Sequence, residues 1–375
     1  MLNTLSSAKK VKICYIVPSY DSGTGSHFFY LYELLERASS TLDIFVVAEK
    51  GVAPSQKPPF GFYLQRFARQ PLRGLELFFV LCCKRFAGYK FFYAHYSFGG
   101  AVFSRAVTCI FGGLNFYWNC GMPWLYKRGR FEEALFRFAL KHSVFVTGTA
   151  GIRDAYQSRY GLKEEDTRVM PNWIDVRRFA DKTGREELRR HFGIAEGGKV
   201  VLFVHRLSRR KGSHQILPVA GRVAKSVPDV IFLIIGLGPE EESLELEIRN
   251  WKLENYVRMI GEISNKNIPE YFHAADVFFM PSEEEGFPHV LLEAQASGTP
   301  YVASDVGGVK EITPPELSDC VVDPLDTELF AECIIGLLGR GQLEIESIGN
   351  AEKKWVMKYD IEVALPKFIS LFVQK

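Results

Sequence analysis

Two successive series of short β-rich runs, each run followed by a stretch of helical periodicity, constrain this chain more than any other feature. The first series covers residues 11–17, 43–48, 91–95, 114–118 and 144–147, and the second 199–205, 230–236, 257–260, 277–280 and 301–304. Strands alternating with helices are the mark of α/β architecture, and two such series imply two Rossmann-like parallel-sheet domains. A chain of 375 residues has room for both. The pattern places an N-terminal domain at 1–178 and a C-terminal domain at 179–354, with a helical apolar stretch in 355–375 after the second series has closed. Ligands are then expected at the carboxyl ends of strands, in the cleft between the domains.

Within the second series, Glu285-Gly-Phe-Pro-His-Val-Leu-Leu-Glu293 brackets a helix start with two carboxylates. Pro288 suits a first helical position, and the run from Val290 reads as a buried helix ending near Gly298. The N–H groups of His289 and Val290 would open from a helix mouth, where the macrodipole favours a diphosphate. Glu285 precedes the mouth and Glu293 lies more than a turn inside, so they should reach different parts of one elongated ligand. Carboxylates accept hydrogen bonds from hydroxyls, which assigns Glu285 to a sugar and Glu293 to a ribose. Two solvated glutamates flanking an ordinary core helix would leave the same local pattern.

The neighbouring motifs narrow that choice. The segment runs on through Ala294-Gln-Ala-Ser-Gly298 to Asp305-Val-Gly307-Gly308; upstream lie His205-Arg206-Leu207 with Lys211-Gly212, Pro171-Asn172-Trp173-Ile174-Asp175 with Phe179, Gly236-Leu-Gly238-Pro239, and Ala274-Ala-Asp276 through Pro281-Ser282. Taken in their order along the chain, they resemble the sugar-nucleotide signature of glycosyltransferase family 4. The resemblance implies a GT-B type fold, hinged near 175–185 and 350–355, with the final helix crossing back onto the first domain. Arg206 and Lys211 match that family's phosphate clamp, Arg offering bidentate contacts and Lys a point charge; Arg209 and Arg210 complete a charge run that could equally be a solvated face. Phe287, His289 and Val290 belong to the donor contacts, and backbone near Gly261 is expected to hold the base.

In the first half, Gly23-Thr-Gly25 follows a strand and opens a helix, but Phe28 stands where a dinucleotide fingerprint wants a third glycine, which disfavours a dehydrogenase. The resemblance gives Gly25 to the donor phosphates, and Ser26 and His27 begin the following helix, His27 being assigned to the acceptor side. A simple strand-to-helix turn explains these residues as well. His95 ends a strand and matches a family histidine near the transferred sugar, with Tyr96 beside it. In Trp118-Asn119-Cys120-Gly121-Met-Pro123-Trp124, Asn119 and Trp124 suit an acceptor pocket. Many relatives carry a histidine in the 119–120 region, so this chain departs from the pattern there.

Net charge is +2 overall, yet residues 1–180 carry 24 Lys and Arg against 13 Asp and Glu, net +11, leaving −9 for the remainder. A basic half steers toward anionic partners. Arg66, Arg69, Arg73, Lys84, Arg85 and Lys90 flank an apolar aromatic run at 75–86, which reads either as an interfacial helix resting on an anionic bilayer or as an internal helix with solvated ends. That run is too short to span a membrane. No nucleic-acid-binding module is recognised. The first ten residues lack the apolar core of a secretory signal, and seven scattered cysteines without metal-ligand spacing suit free thiols, so the expected location is cytoplasmic, at the membrane face where the interfacial reading holds.

The activity implied is retaining transfer of a sugar from a UDP- or GDP-sugar to a hydroxyl of a glycan or lipid-linked acceptor, in cell-surface polysaccharide or glycolipid synthesis. No cofactor and no metal are expected, because the basic clamp and the helix mouth supply the positive potential. A sugar-nucleotide epimerase of the same fold, a phosphorylase and a non-catalytic sugar-nucleotide-binding protein are the competing readings.

Overall fold

Strands covered on both faces must be apolar throughout, and the strands at the heart of this protein are. The computed structural model describes residues 10–21, 29–180 and 184–373. The chain divides into two compact units, Met1–Met170 with Ala364–Lys375, and Pro171–Val363. Among the described residues, unit 1 holds β1 (Val11–Val17), β2 (Leu42–Ala48), β3 (Gly61–Leu64), β4 (Phe91–His95), β5 (Leu114–Trp118), β6 (Val144–Thr147) and β7 (Thr167–Val169). Their order is β3-β2-β1-β4-β5-β6-β7, and every neighbouring pair is parallel. The connections are helical: α1 (Phe29–Ala38), α2 (Leu72–Phe86), α3 (Phe98–Phe111), α4 (Arg130–Leu140) and α5 (Ala150–Tyr160).

Unit 2 holds β8 (Lys199–Val204), β9 (Val230–Ile235), β10 (Val257–Gly261), β11 (Val277–Met280), β12 (Tyr301–Ser304) and β13 (Val321–Val322), ordered β10-β9-β8-β11-β12-β13 and again all parallel. The helices are α6 (Arg185–His191), α7 (Ser213–Ser226), α8 (Glu241–Asn250), α9 (Ile268–Ala274), α10 (His289–Ser297), α11 (Val309–Ile312), α12 (Thr327–Leu338), α13 (Gln342–Val356) and α14 (Ile361–Val373), the last of which runs from unit 2 into unit 1. β9, β11 and β12 are buried at every residue, as parallel strands covered by helices must be.

The two parallel-sheet units expected from the sequence are therefore present. β3, β7 and β13 were not among the expected strands. All three are sheet edges, β7 and β13 are three and two residues long, and β3 opens on a glycine with no buried residue in it. Edge strands bury one side at most, so they carry no continuous apolar run to read.

Both sheets reverse their order once, between β1 and β4 in unit 1 and between β8 and β11 in unit 2. At such a switch point the two following loops run in opposite directions and open a crevice at the carboxyl ends of the strands. Residues 171–178 pack within unit 2: the Ile174 amide donates to Tyr359 O (3.0 Å), and the Asn172 side chain donates to Phe287 O (2.8 Å). The end of α14 returns to unit 1, where Phe368 meets the rings of Tyr15 and Tyr93, and Phe372 those of Phe91 and Phe116.

Candidate active site

Two of the sequence candidates, Lys211 and Glu285, meet at the switch point of unit 2. β8 ends at Val204, so His205 and Arg206 follow at its carboxyl end; β11 ends at Met280, so Pro281 to Gly286 follow at the adjacent one. Glu285 is the centre of the group. Its Oε1 accepts from Lys211 Nζ (2.6 Å), Ser282 Oγ (2.8 Å) and His205 Nε2 (3.2 Å), while Oε2 takes none of these three bonds.

The histidine tautomer follows from its neighbours. The Arg206 amide donates to His205 Nδ1 (2.9 Å), so Nδ1 is the acceptor and the proton sits on Nε2, facing the carboxylate. Desolvation lowers the His205 pKa and keeps the ring neutral, with the Lys211 charge acting in the same direction. Burial alone would raise Glu285, but the Lys211 ammonium, and then the His205 hydrogen bond, hold it well below the usual carboxylate range. Burial pushes Lys211 down, opposed by Glu285. The outcome is an ionised pair, 2.6 Å apart, at the foot of the switch point.

Close backbone packing fixes this group. Gly307 lies at φ +55, and a Cβ there would stand 1.7 Å from the Glu285 carbonyl oxygen; the Gly308 amide donates to Gly286 O (3.1 Å). Only glycine fits that approach. Gly212, at φ +76, ends the short turn carrying Lys211, and its Cβ would stand 1.9 Å from Pro281 O. The room expected at Gly212 for a ligand is thus occupied by the protein's own β11 loop.

α10 begins beside Glu285. Pro288, expected as the first helical residue, is instead its N-cap, so the helix begins one residue later at His289, with no side-chain cap; Gly298 ends it as expected, in the left-handed region. His289 and Val290 form the start of the first turn, both half-buried, and Glu293 is buried in the second turn. The Phe287 side chain is buried against Tyr359 (5.4 Å, edge-on), and its carbonyl accepts from Asn172. Gly261 ends β10 at φ +81 with open space where a Cβ would stand. Arg206 is exposed, and its guanidinium makes no ion pair or hydrogen bond among the described residues. His205 and Ser282 are the residues that sequence reasoning did not single out. Their place at the carboxyl ends of two adjacent strands was the available signal.

In unit 1, His95 is buried at the end of β4, beside the other switch point. Its Nδ1 meets Tyr15 OH (2.7 Å), and its ring stacks on Trp118 (4.2 Å, 6°). Tyr96 has φ 53, a left-handed conformation uncommon outside glycine, and its ring meets Trp118 edge-on (4.5 Å). Asn119 is engaged in shaping its own loop: Oδ1 accepts from the Gly121 amide (2.7 Å) and Nδ2 donates to Tyr117 OH (3.0 Å). Trp124 lines a recess of ≈ 530 Å³ with Tyr126, Arg128, Arg137, Arg159 and Tyr160. Gly25 and His27 lie outside the described residues. A second recess, ≈ 590 Å³, is lined by Arg185, Ser297, Gly298, Asn350 and Lys353 at the carboxyl end of α10, the end remote from Glu285, and holds none of the candidates.

Residues 184–355 match the family model described as glycosyl transferases group 1. The D-inositol 3-phosphate glycosyltransferase of Corynebacterium urealyticum is 36% identical over 238 residues, covering 61% of this chain and 56% of that protein. The 2-deoxystreptamine N-acetyl-D-glucosaminyltransferase of Niallia circulans is 29% identical over 179 residues, covering 48% and 46%. The chain thus spans about half the length of these curated relatives. The crystal structure of Anabaena Alr3699/HepE in complex with UDP superposes with a TM-score of 0.80 at 20% identity, covering 96% of this chain and 99% of that one. The fold is of the GT-B type.

Proposed function

We propose that this protein is a family 4 glycosyltransferase, moving a sugar from a UDP- or GDP-sugar to a hydroxyl of a glycan or lipid-linked acceptor with retention of anomeric configuration, in cell-surface polysaccharide or glycolipid synthesis at the cytoplasmic face of the membrane. The observation that carries the reading is the ionised Lys211–Glu285 pair, braced by a neutral His205, at the switch point beside the mouth of α10. A departing diphosphate needs positive potential where its charge develops. Lys211, the uncommitted Arg206 guanidinium and the first-turn amides of α10 supply it, and the reading therefore includes no metal ion.

Glu285 has a second task. Oε1 is committed to protein donors, so Oε2 is the oxygen left to accept from a sugar hydroxyl. Glu293 is assigned to the ribose and the backbone at Gly261 to the base. From unit 1 we assign His95 and Tyr96 to the transferred sugar and Trp124 to the acceptor; Asn119 acts on the acceptor through the loop it shapes.

The test uses the purified full chain. Thermal-shift measurement against nucleoside diphosphates and their sugars should pick out one base, since ligand at about 100 times its Kd adds roughly 2.7 kcal/mol. With that donor, Glu285→Gln should cut transfer by on the order of 10²–10³, and EDTA should leave it unchanged. Transfer at the parent rate by the variant would end this assignment. A sugar altered in the absence of any acceptor would mark an epimerase instead, and donor binding without turnover a binding protein.

A further inference from the structure

We propose that α2 is a membrane-docking element that lays an apolar stripe into the interface of an anionic bilayer. The exposed residues of α2 are Leu72, Leu75, Phe79, Cys83 and Phe86, spaced three, four, four and three apart, so they form one face of the helix. Among the described residues, the one charged side chain at the spacing of that face is Glu76, which is half-buried and engaged in hydrogen bonds to Tyr63, Gln65 and the backbone of residues 66–67. A solvated helix surface is ordinarily its most polar side, and here it is the reverse: Phe79 is 63% exposed and Phe86 73%. The opposite face, with Gly74, Leu77 and Leu81, is buried within unit 1.

The stripe extends beyond the helix. Phe86 touches Phe111 (5.1 Å) at the end of α3, where Ile110 and Leu114 are also exposed, and Phe67 is exposed ahead of α2. A contiguous apolar patch of this kind on a protein surface marks an interaction site. Its occupant follows from the charge around it. From residue 61 to 131 the sequence has ten Lys and Arg and a single acid, Glu76. That acid is turned to the protein: its carboxylate accepts from Tyr63 OH (2.8 Å), Gln65 Nε2 (3.4 Å) and the amides of Arg66 and Phe67. Arg66, Arg69 and Lys90 are exposed at the two ends of the stripe. Lys84 and Arg85 are held beside it, Lys84 over the Phe45 ring (3.2 Å) and Arg85 by Gly112 O (2.7 Å).

An apolar stripe with a rim of one sign fits a surface that is apolar within and anionic at its margin, which describes acidic lipid. A second copy of this chain fits poorly, because a two-fold contact would set these cations against themselves. No helix of the described residues is long and apolar enough to cross a membrane, so contact would be interfacial. The inference rests on unit 1 alone and stands whether or not the transferase reading holds.

Co-sedimentation of the full chain with vesicles tests it. The protein should pellet with phosphatidylcholine–phosphatidylglycerol vesicles, less with phosphatidylcholine alone, and release as salt is raised. Phe79→Asp with Phe86→Asp should weaken binding by at least about tenfold, and Arg66→Glu with Arg69→Glu should remove the preference for acidic lipid. All four side chains are exposed, and unchanged circular dichroism of the variants confirms the fold. Failure of the parent to pellet, or equal binding by the variants, overturns the proposal. So does a dimer in sedimentation velocity that Phe79→Asp dissociates, which would give the face to a second copy.

Discussion

Glu285 and Glu352 are both buried carboxyls of unit 2, 6% and 0% exposed, and their pKa values are shifted in opposite directions. Glu285 accepts three hydrogen bonds, one from an ammonium, and is ionised. Glu352 sits on the buried stripe of α13 with Ile348, Gly349 and Val356; among the described residues neither of its oxygens has a hydrogen-bond partner, and burial raises its pKa well above the ordinary value, which favours the protonated form. Depth does not decide the charge of a carboxyl, since desolvation acts on both in the same direction. The partners decide it. A buried carboxylate held by donors from neighbouring elements stays charged, whereas a buried acid without donors costs stability.

The largest effect should come from taking the cation away from the first of these. Lys211→Ala strands an ionised Glu285 in a buried site, which typically costs about 3–5 kcal/mol, and it removes the positive charge facing the leaving group, worth on the order of 10²–10³ in rate. Urea denaturation and donor turnover measure the two losses separately. Lys211→Met combined with Glu285→Met should recover most of the stability and none of the turnover. Recovery of both, or of neither, would show that the pair is not the coupled charge centre described.

Gly307→Ala should come next. The added methyl would overlap the Glu285 carbonyl, and the left-handed backbone costs about 1–2 kcal/mol more for alanine than for glycine, so the 305–308 segment must move and carry Glu285 with it. We expect turnover to fall by roughly tenfold to a hundredfold, as for a small misplacement of a reacting group, with the nucleoside diphosphate still bound. Equal loss of nucleotide affinity and turnover would mean that the glycine supports the whole unit rather than the placement of one carboxylate.

What the sequence allowed to be read tracks the physics of each element. The interior strands were legible because burial on both faces leaves continuous apolar runs, as in β9 and β11. Edge strands were not, and the start of α10 was displaced by one residue because Pro288 serves equally as N-cap and as first helical residue. In the site, Glu285 and Lys211 were legible as residue types in a motif, but their direct bond was not: they are 74 positions apart, and contact across β8 and β11 follows only from the strand order. Motif membership was also no guide to role. Asp276 accepts from the Val200 amide (2.8 Å) and pairs with Arg185 (3.0 Å), and Asn172 ties down Phe287, so both brace the fold around the site. Glu352 left no trace in the sequence, since a glutamate at helical spacing reads as a solvated position.

The smallest effect, and the one that sharpens the contrast most, is in the pH dependence of stability. Glu285 has a depressed pKa, so its stabilisation is present above the unfolded value near 4.5 and is lost as pH falls below it. His205, also depressed, adds an earlier loss on acidification below its ordinary value of 6.5, because the unfolded chain takes up that proton first. Glu352 has the opposite sign: folding retains a proton that the unfolded chain gives up, so its penalty begins near pH 4.5 and grows as pH rises toward the folded pKa. Glu352→Met, close in volume and without polar atoms to satisfy, should therefore stabilise the protein at neutral pH by about 1–3 kcal/mol. Thermal unfolding across pH 4–8 should show the gain shrinking toward the acid end. A Glu352→Met variant less stable than the parent at pH 7 would mean that Glu352 has a partner and that the two carboxyls are alike after all.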